Sequence, residues 1–297
     1  MPDRPFSRIL SAASRIVARM KGLLTVVRRR LDVELVRRGL AESRESAQSL
    51  IAAGLVTVAN VVATKAARRT APDEAIELVG APPRYVSRGG IKLEAALEAF
   101  GLDVEGWPAV DVGASTGGFT DCLLQRGART VISVDVGYGQ LHERLRGDPR
   151  VTVRERVHIR DCRPEDIGAP VPLVVVDLSF ISLSSVLDVL LALLDDHGRI
   201  VALVKPQFEA GRADADRGRG VIRDPAVWRR VLVALRSDVE ARGAAMMGLM
   251  ISPITGAQGN VEFFALIERS AAAPELRIDD EAIDVVVEEA RQRELRR

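Results

Sequence analysis

Four residues of this chain have the chemistry to strip a proton from an alcohol: Lys92, Asp177, Lys205 and Glu262. Asp177 closes the apolar run Leu173-Val174-Val175-Val176, and Lys205 closes Ile200-Val201-Ala202-Leu203-Val204. Glu262 follows Gly259-Asn260 and opens the apolar run to Ile267; Lys92 precedes the first strand of the series. Groups at the strand ends of an open α/β sheet collect at one edge. A lysine beside a second cation and partly out of water has a lowered pKa and can act as a base, with carboxylates orienting it and the hydroxyl. Ordinary strand-end salt bridges use the same residue types, so the four residues by themselves leave both readings open.

A second constellation bears on what would react. Ala109 to Asp121 reads as a short strand, a glycine-rich turn and the start of a helix. Gly113 permits the tight turn, and Gly117 and Gly118 would let a ligand approach the backbone. Ser115, Thr116 and Phe119 complete the candidate loop, and the helix behind it presents bare N–H groups and the positive end of its dipole. Asp135 closes the next apolar run, where a doubly wound sheet places the acid that binds a ribose hydroxyl pair. The spacing is D-x-G-x-x-x-G-G, with the acid Asp111 ahead of the first glycine. An acid there suits a cationic amino-acid ligand better than a pyrophosphate, which favours S-adenosylmethionine over NAD. The P-loop lysine pattern is absent.

The elements that must position these groups alternate along the chain. Strand-like runs at Leu173–Asp177, Arg199–Pro206, Met247–Ser252 and Glu262–Ile267 are interleaved with helical spacing at Leu183–Leu194 and Asp224–Ala241. That pattern predicts a doubly wound, mostly parallel α/β sheet. The closing strands, joined by Pro253–Asn260, read as a hairpin, which makes one strand antiparallel. Leu93, Ala96, Leu97 and Phe100 form the core face of a helix that Lys92 would start, an unusual place for a cation because the dipole there disfavours it. A final helix around Asp279–Arg297 would bury Ala282, Ile283, Val286, Val287 and Ala290.

The chain has 297 residues, room for one substantial α/β domain and a smaller one. Two cysteines, Cys122 and Cys162, give neither a disulfide framework nor a metal-ligand set, and suit a reducing, cytoplasmic setting. No apolar run approaches the roughly 20 residues that span a bilayer, and no secretory signal pattern is visible. Net charge is +1, yet residues 1–72 carry 14 Lys and Arg against 5 Asp and Glu. A basic front end on an acidic body suggests a polyanion-binding module; a merely solvated basic face is the plainer alternative.

Residues 1–27 form a basic amphipathic extension with apolar residues at helical spacing from Phe6 to Leu24. Three readings compete, an RNA-binding arm, a membrane-surface or targeting helix, and an upstream extension from a wrongly chosen start; a mobile or artefactual extension is the plainest. Residues 28–80 form a compact unit: a helix from Arg30 to Leu40, a second helix capped by Ser43 and ended by Gly54, then strands at Val56–Val58 and Ala75–Leu78. This resembles the small RNA-binding domain named after ribosomal protein "S four", matching at Arg30, Leu31, Asp32, Arg38, Gly39, Ser43, Arg44, Ala47, Leu50, Ile51, Gly54, Val56 and Val58. Such domains usually carry Val-Asn-Gly at the hairpin; this chain has Val58-Ala59-Asn60. The resemblance implies RNA contacts from Arg30, Arg37, Arg38, Ser43, Arg44, Lys65 and Arg68, with Arg88 added from beyond the linker at 81–86.

Over residues 28–270 the sequence resembles the TlyA family, known both as haemolysins and as ribosomal RNA 2′-O-methyltransferases. The matches are Ser87-Arg88-Gly89-Gly90-Ile91-Lys92-Leu93, the loop Asp111–Asp121, Val134–Leu141, Asp177-Leu178-Ser179-Phe180-Ile181-Ser182-Leu183, Lys205-Pro206-Gln207-Phe208-Glu209 and Gly259-Asn260-Val261-Glu262-Phe263. The resemblance implies an FtsJ-like catalytic domain over 87–270, followed by the helix at 271–297. It maps a lysine–aspartate–lysine–glutamate tetrad onto Lys92, Asp177, Lys205 and Glu262. Lys205 would be the base, Asp177 and Lys92 would align the nucleophile, and Glu262 would hold Lys205. It also adds Val136, Asp161 and Asp177 to the S-adenosylmethionine residues Asp111, Gly113, Ser115, Thr116, Gly117, Gly118, Phe119 and Asp135. The implied substrate is a ribose, by family a cytidine, in ribosomal RNA of one or both subunits, with no metal and no stable protein partner. Val157-His158 departs from the family's usual Thr-Asn.

Other activities fit less well. A cytosine C5-methyltransferase needs a nucleophilic cysteine; Cys122 lies inside a helix and Cys162 is not at a strand end. An exocyclic-amine methyltransferase would carry Asn/Asp-Pro-Pro-aromatic where this chain has Asp177-Leu178-Ser179-Phe180. A non-catalytic RNA-binding or assembly protein would not need the tetrad and loop together. A pore-former lacks a spanning segment and a barrel pattern, so membrane contact is not expected outside the residue 5–24 stretch.

Overall fold

The computed structural model describes residues 28–41, 43–80, 83–211, 220–256, 258–269 and 277–296, and the basic extension at 1–27 lies outside them. The chain divides into two compact units, the first ending at Pro83 and the second beginning at Arg84.

The first unit runs β1 (Arg29–Arg30), α1 (Leu31–Arg37), α2 (Arg44–Ala52), β2 (Val56–Val58), β3 (Val61–Val62), β4 (Arg69–Thr70) and β5 (Ile76–Leu78). Leu31 and Leu35 on α1 meet Ala47, Leu50 and Ile51 on α2 over Val56 and Val58 of the sheet. Ser43 caps α2, its hydroxyl accepting from the Ser46 N–H at 3.1 Å. The antiparallel sheet is ordered β3-β2-β5. Its β2–β3 turn consists of Ala59 and Asn60 at φ 51° and 63°. Two left-handed residues in a two-residue loop match the twist of the flanking strands, so the hairpin forms without the usual glycine.

The second unit continues with α3 (Arg88–Ala99), β6 (Pro108–Val112), α4 (Gly118–Gln125), β7 (Thr130–Asp135), α5 (Glu143–Arg146), β8 (Val151–Glu155), β9 (Val171–Val176), α6 (Leu187–Ala192), β10 (Leu194–Val204), α7 (Pro206–Glu209), α8 (Pro225–Glu240), β11 (Ala245–Ile251), β12 (Phe263–Glu268) and α9 (Asp280–Leu295). Seven strands form one sheet in the order β11-β12-β10-β9-β6-β7-β8. All neighbouring pairs from β10 to β8 are parallel, and β12 runs antiparallel to both β10 and β11. The doubly wound, mostly parallel sheet with a closing hairpin is therefore observed.

Both faces of the sheet are covered, and the period-2 alternation of its strands shows it. Leu173 and Val175 of β9, Val201 and Leu203 of β10, and Phe264 of β12 pack with Leu93 and Leu97 of α3 and Leu123 of α4. Their neighbours Val174, Val176, Ala202, Val204 and Phe263 face the other way, against Leu187, Leu190, Trp228 and Leu232. The closing helix α9 belongs to this second layer through Ile283, Val287 and Ala290, while Ala282 and Val286 are only half-buried.

Several boundaries differ from the sequence reading, two of them for a visible physical reason. Lys92 does not start its helix: α3 begins at Arg88, so the dipole argument about an ill-placed cation falls. A Cβ on Gly118 would lie 3.0 Å from the Gly89 Cα, and this glycine contact is what lets the starts of α3 and α4 touch. Strand β10 begins at Leu194 rather than Arg199, because the polar run Asp195–Gly198 is absorbed as a register shift against β9.

Candidate active site

Strand register brings three of the four candidate residues to one edge. Val176 pairs with Ala202 and Val204 pairs with Phe263. Asp177 leaves β9 beside the end of β10, Lys205 follows that end, and Glu262 enters β12 next to it. The antiparallel run of β12 matters here, since it places the strand's start, not its end, at the carboxyl edge of the parallel strands. Lys92 reaches the same place from α3, whose Leu93, Ala96 and Leu97 anchor it on the sheet.

The four side chains form two ion pairs. Lys92 Nζ lies 2.5 Å from Glu262 Oε2, and their side chains are 9% and 3% exposed. Lys205 Nζ contacts Asp177 Oδ1 and donates to Ser179 Oγ at 3.0 Å. The expectation that Glu262 holds Lys205 is thus not met: Glu262 pairs with Lys92, and Asp177 with Lys205. Spacing could not tell, because all four arrive at one edge. The Phe208 ring centroid is 5.9 Å from Lys205 Nζ, and the Phe180 and Phe208 rings meet tilted at 48° with centroids 5.1 Å apart. Phe180 is 91% exposed and sits at φ 66°.

Beside these pairs a cavity of about 510 Å³ opens at the carboxyl ends of β6, β7 and β9, within the usual size of small-molecule sites. Of the cofactor residues read from sequence, Gly113, Ser115, Asp135, Val136 and Asp177 line it. Asp135 is aimed by backbone donors: Ser115 N–H to Oδ2 at 2.7 Å and Gly137 N–H to Oδ1 at 2.6 Å. Gly113 has φ 85°, and any Cβ would collide with the Asp177 carbonyl oxygen.

Asp111, Thr116, Gly117, Gly118, Phe119 and Asp161 are not on the cavity wall. A Cβ at Gly117 would meet Leu141 and Leu145, and one at Gly118 would meet Ser87, so close packing of the chain on itself excludes a side chain at both. Phe119 packs on Phe264, centroids 6.1 Å apart. Asp111 faces away from the cavity: fully buried, its Oδ2 accepts from the Thr120 N–H at 2.9 Å and hydroxyl at 2.7 Å. It ties the turn to the start of α4 through this oxygen, while its Oδ1 is buried without a hydrogen-bond partner. Burial, with Asp177 and Asp135 adding repulsion, pushes its pKa up to about 7.

Sequence reasoning gave no role to Gly137, Gln140, His158, Ser179 or Phe180, all of which lie on the cavity wall. Four of them stand within the family-matching runs, and His158 is half of the departure from them, so the signal was present but carried no geometry.

In the first unit the basic residues divide. Arg30 forks onto buried Asp32 at 3.0 and 2.9 Å, and Arg44 and Gln48 reach the same carboxylate at 3.3 and 3.0 Å. Arg37 and Arg38 share buried Glu34, at 2.8 and 2.9 Å from their Nε atoms. Arg38 also donates to the carbonyls of Glu74 at 2.8 Å and Pro72 at 3.0 Å. It is a cross-link of the fold. Lys65 is exposed, Arg68 approaches Glu74 at 3.8 Å, and Arg88, in the second unit, is exposed.

Residues 85–269 match the FtsJ-like methyltransferase family, and residues 29–76 match the S4 domain. The chain belongs to the FtsJ-like methyltransferases. Among curated relatives, the 16S/23S rRNA (cytidine-2'-O)-methyltransferase TlyA of Mycobacterium tuberculosis is 48% identical over 80% of this chain and 88% of its own. Hemolysin A of Brachyspira hyodysenteriae is 42% identical over 80% of this chain and 98% of its own. Among solved structures, a Streptococcus thermophilus protein carrying the hemolysin name shares 40% identity over 90% of this chain and 97% of that one, with a TM-score of 0.71. Among the described residues, no helix of this FtsJ-like chain is long and apolar enough to cross a membrane.

The cavity suits the methyl donor of such enzymes. It has a carboxylate at the end of β7 for a hydroxyl pair, and apolar walls at Val134, Val136, Val157, Ile159 and Ile181 for a flat base.

Proposed function

We propose that this chain methylates ribose 2′-hydroxyls of cytidine in ribosomal RNA, with S-adenosylmethionine as donor. The observation that carries the reading is the contact of Lys205 with Asp177 and Ser179 on the edge of the donor-sized cavity. An amine, a carboxylate and a hydroxyl in one cluster are suited to accepting and directing the single proton that an alcohol loses.

Bound in the cavity, S-adenosylmethionine would supply an electrophilic methyl group on a sulfonium. Asp135, already aimed by two N–H groups, keeps outer lone pairs free for a hydroxyl pair, and Val134, Val136, Val157 and Ile159 would flank the base. As the 2′-oxygen displaces the donor's sulfur from the methyl carbon, leaving a thioether, Lys205 in its unprotonated amine form would take the oxygen's proton, with Asp177 and Ser179 fixing the direction from which it does so. Lys92 and Glu262 neutralise one another behind this cluster and present no net charge to it. Phe180, exposed on the cavity rim, offers a face for an unstacked base, the usual way single-stranded RNA is held. The S4 domain would grip structured RNA through phosphates and shape, since A-form grooves are poorly read by side chains.

The TlyA relative acts on cytidines of both subunit RNAs by its name, which supports the nucleotide and leaves one or both subunits as targets here. The test is to map 2′-O-methylation on 16S and 23S RNA from cells with and without this protein. Loss of a cytidine 2′-O-methyl group is expected. Identical maps, together with no methyl incorporation into ribosomal subunits by the purified chain, would refute the reading.

A further inference from the structure

Two short segments flank the reactive cluster: 177–183 after β9, and 205–209, which holds Lys205 and α7. At one end of the paired segments Lys205 contacts Asp177 and Ser179. In the middle the Phe180 ring meets that of Phe208 at a tilt. At the other end the Ser182 hydroxyl donates to Glu209 Oε2 at 2.6 Å and the Leu183 N–H donates to Oε1 at 2.7 Å. Phe180 lies between these ties at φ 66°, a conformation a phenylalanine keeps only where its surroundings hold it. Its ring is almost wholly exposed, so burial does little of the holding. The carboxylate of Glu209 has no part in the proton transfer proposed above, yet both its oxygens are committed to this one segment.

We infer that Glu209 is a positioning residue: it clasps the 177–183 segment to α7 and thereby holds Asp177 and Phe180 in place for methyl transfer. The inference rests on the proposed transferase activity and adds to it a residue that touches neither substrate nor donor. A misplacement of reacting groups by about 1 Å can cost on the order of a hundred-fold in rate, so losing the clasp should show in turnover before it shows in donor binding. The chemistry of the clasp makes a specific forecast for the conservative variant. In Glu209→Gln the amide oxygen can still accept from the Leu183 N–H, and the Ser182 hydroxyl can turn round to accept from the amide NH2. Glu209→Ala keeps neither bond.

The experiment uses the full chain and ribosomal subunits. Single-turnover methyl transfer, donor affinity by calorimetry, and hydrogen exchange over residues 177–186 are measured for the wild type, Glu209→Ala, Glu209→Gln, Ser182→Ala and the Ser182→Ala/Glu209→Ala double variant. Glu209→Ala should slow transfer by about ten-fold or more, leave donor affinity unchanged, and speed exchange over the segment. Glu209→Gln should recover most of the rate, Ser182→Ala should have a smaller effect, and the double variant should be no worse than Glu209→Ala. Unchanged exchange in Glu209→Ala overturns the clasp, as does faster exchange with an unchanged rate, or multiplying effects of the two single variants. Failure of the transferase reading looks different: the wild type itself would show no transfer, while the exchange comparison would still judge the clasp.

Discussion

Glu262 lies 2.5 Å from Lys92, a residue 170 positions away in sequence, and both side chains are buried. Removing one partner leaves an uncompensated charge out of water, which costs about 3–5 kcal/mol in comparable sites. Lys92→Ala and Glu262→Ala should therefore each lower the urea-unfolding free energy by about 3 kcal/mol or more. The double variant should lose less than the sum, because it strands neither charge. Strict additivity would mean that the two groups do not depend on each other.

Lys205 is the residue whose removal should separate chemistry from binding. Lys205 is not itself on the cavity wall, and Asp135 keeps both of its backbone donors in Lys205→Ala, so calorimetric affinity for S-adenosylmethionine should largely hold. Methyl incorporation should fall by about 10²–10⁴-fold, the range for losing a positioned base. A variant that keeps its rate would take Lys205 out of the mechanism.

The sheet was legible because strands buried on both faces announce themselves as unbroken apolar runs, as in Leu173–Val176 and Ile200–Val204. The edge on which Asp177, Lys205 and Glu262 meet follows from strand order, which βα alternation and a closing hairpin largely determine. The pairing within the edge was not legible. It depends on where α3 carries Lys92, and the start of α3 lies against the start of α4 through Gly89 and Gly118, a long-range contact that spacing does not announce. The place of Asp111 off the cavity wall was hidden for a similar reason. Its neighbours Val110 and Val112 face one layer, and Asp111 faces the other, where Thr120 takes its carboxylate. Spacing gives the acid's position in the motif but not the face of the strand on which it lands.

Asp135 should carry much of the donor affinity. A hydrogen bond to a charged group contributes about 1.5–3 kcal/mol, so Asp135→Ala is expected to weaken S-adenosylmethionine binding by roughly ten-fold to a hundred-fold. The same change strands the N–H groups of Ser115 and Gly137, so part of the loss reflects a loosened loop. Asp135→Asn keeps one acceptor oxygen and should fall between the two in calorimetric titration.

Two buried carboxylates should pull the pH dependence of stability in opposite directions. Asp111 rises from 3.8 to about 7 on burial. The folded state then binds its proton more tightly than the unfolded chain does. Its stabilising contribution is complete below pH 3.8 and disappears as the pH rises through about 7. Glu34 drops from 4.5 to about 2, first through its hydrogen bond to Arg37, so its contribution is present above pH 4.5 and lost as the pH falls toward 2. Thermal unfolding of Asp111→Asn should lose the slope between these higher limits while keeping the acid limb. An unchanged slope would assign it to another group.

The S4 domain offers a contrast between a cation held by the fold and one left to solvent. Arg38 is 20% exposed and spends its donors on Glu34 and on the carbonyls of Pro72 and Glu74. Arg38→Ala should lower the unfolding midpoint and should weaken RNA binding only as far as the domain loosens. Lys65 is exposed, and Lys65→Ala should leave the midpoint alone. If it meets a phosphate, its removal lowers affinity for ribosomal RNA and reduces the slope of log affinity against log salt by about one. Fluorescence anisotropy across a potassium chloride series, beside thermal unfolding of the same samples, reads both quantities. A salt slope equal to wild type in Lys65→Ala would remove that lysine from the RNA interface.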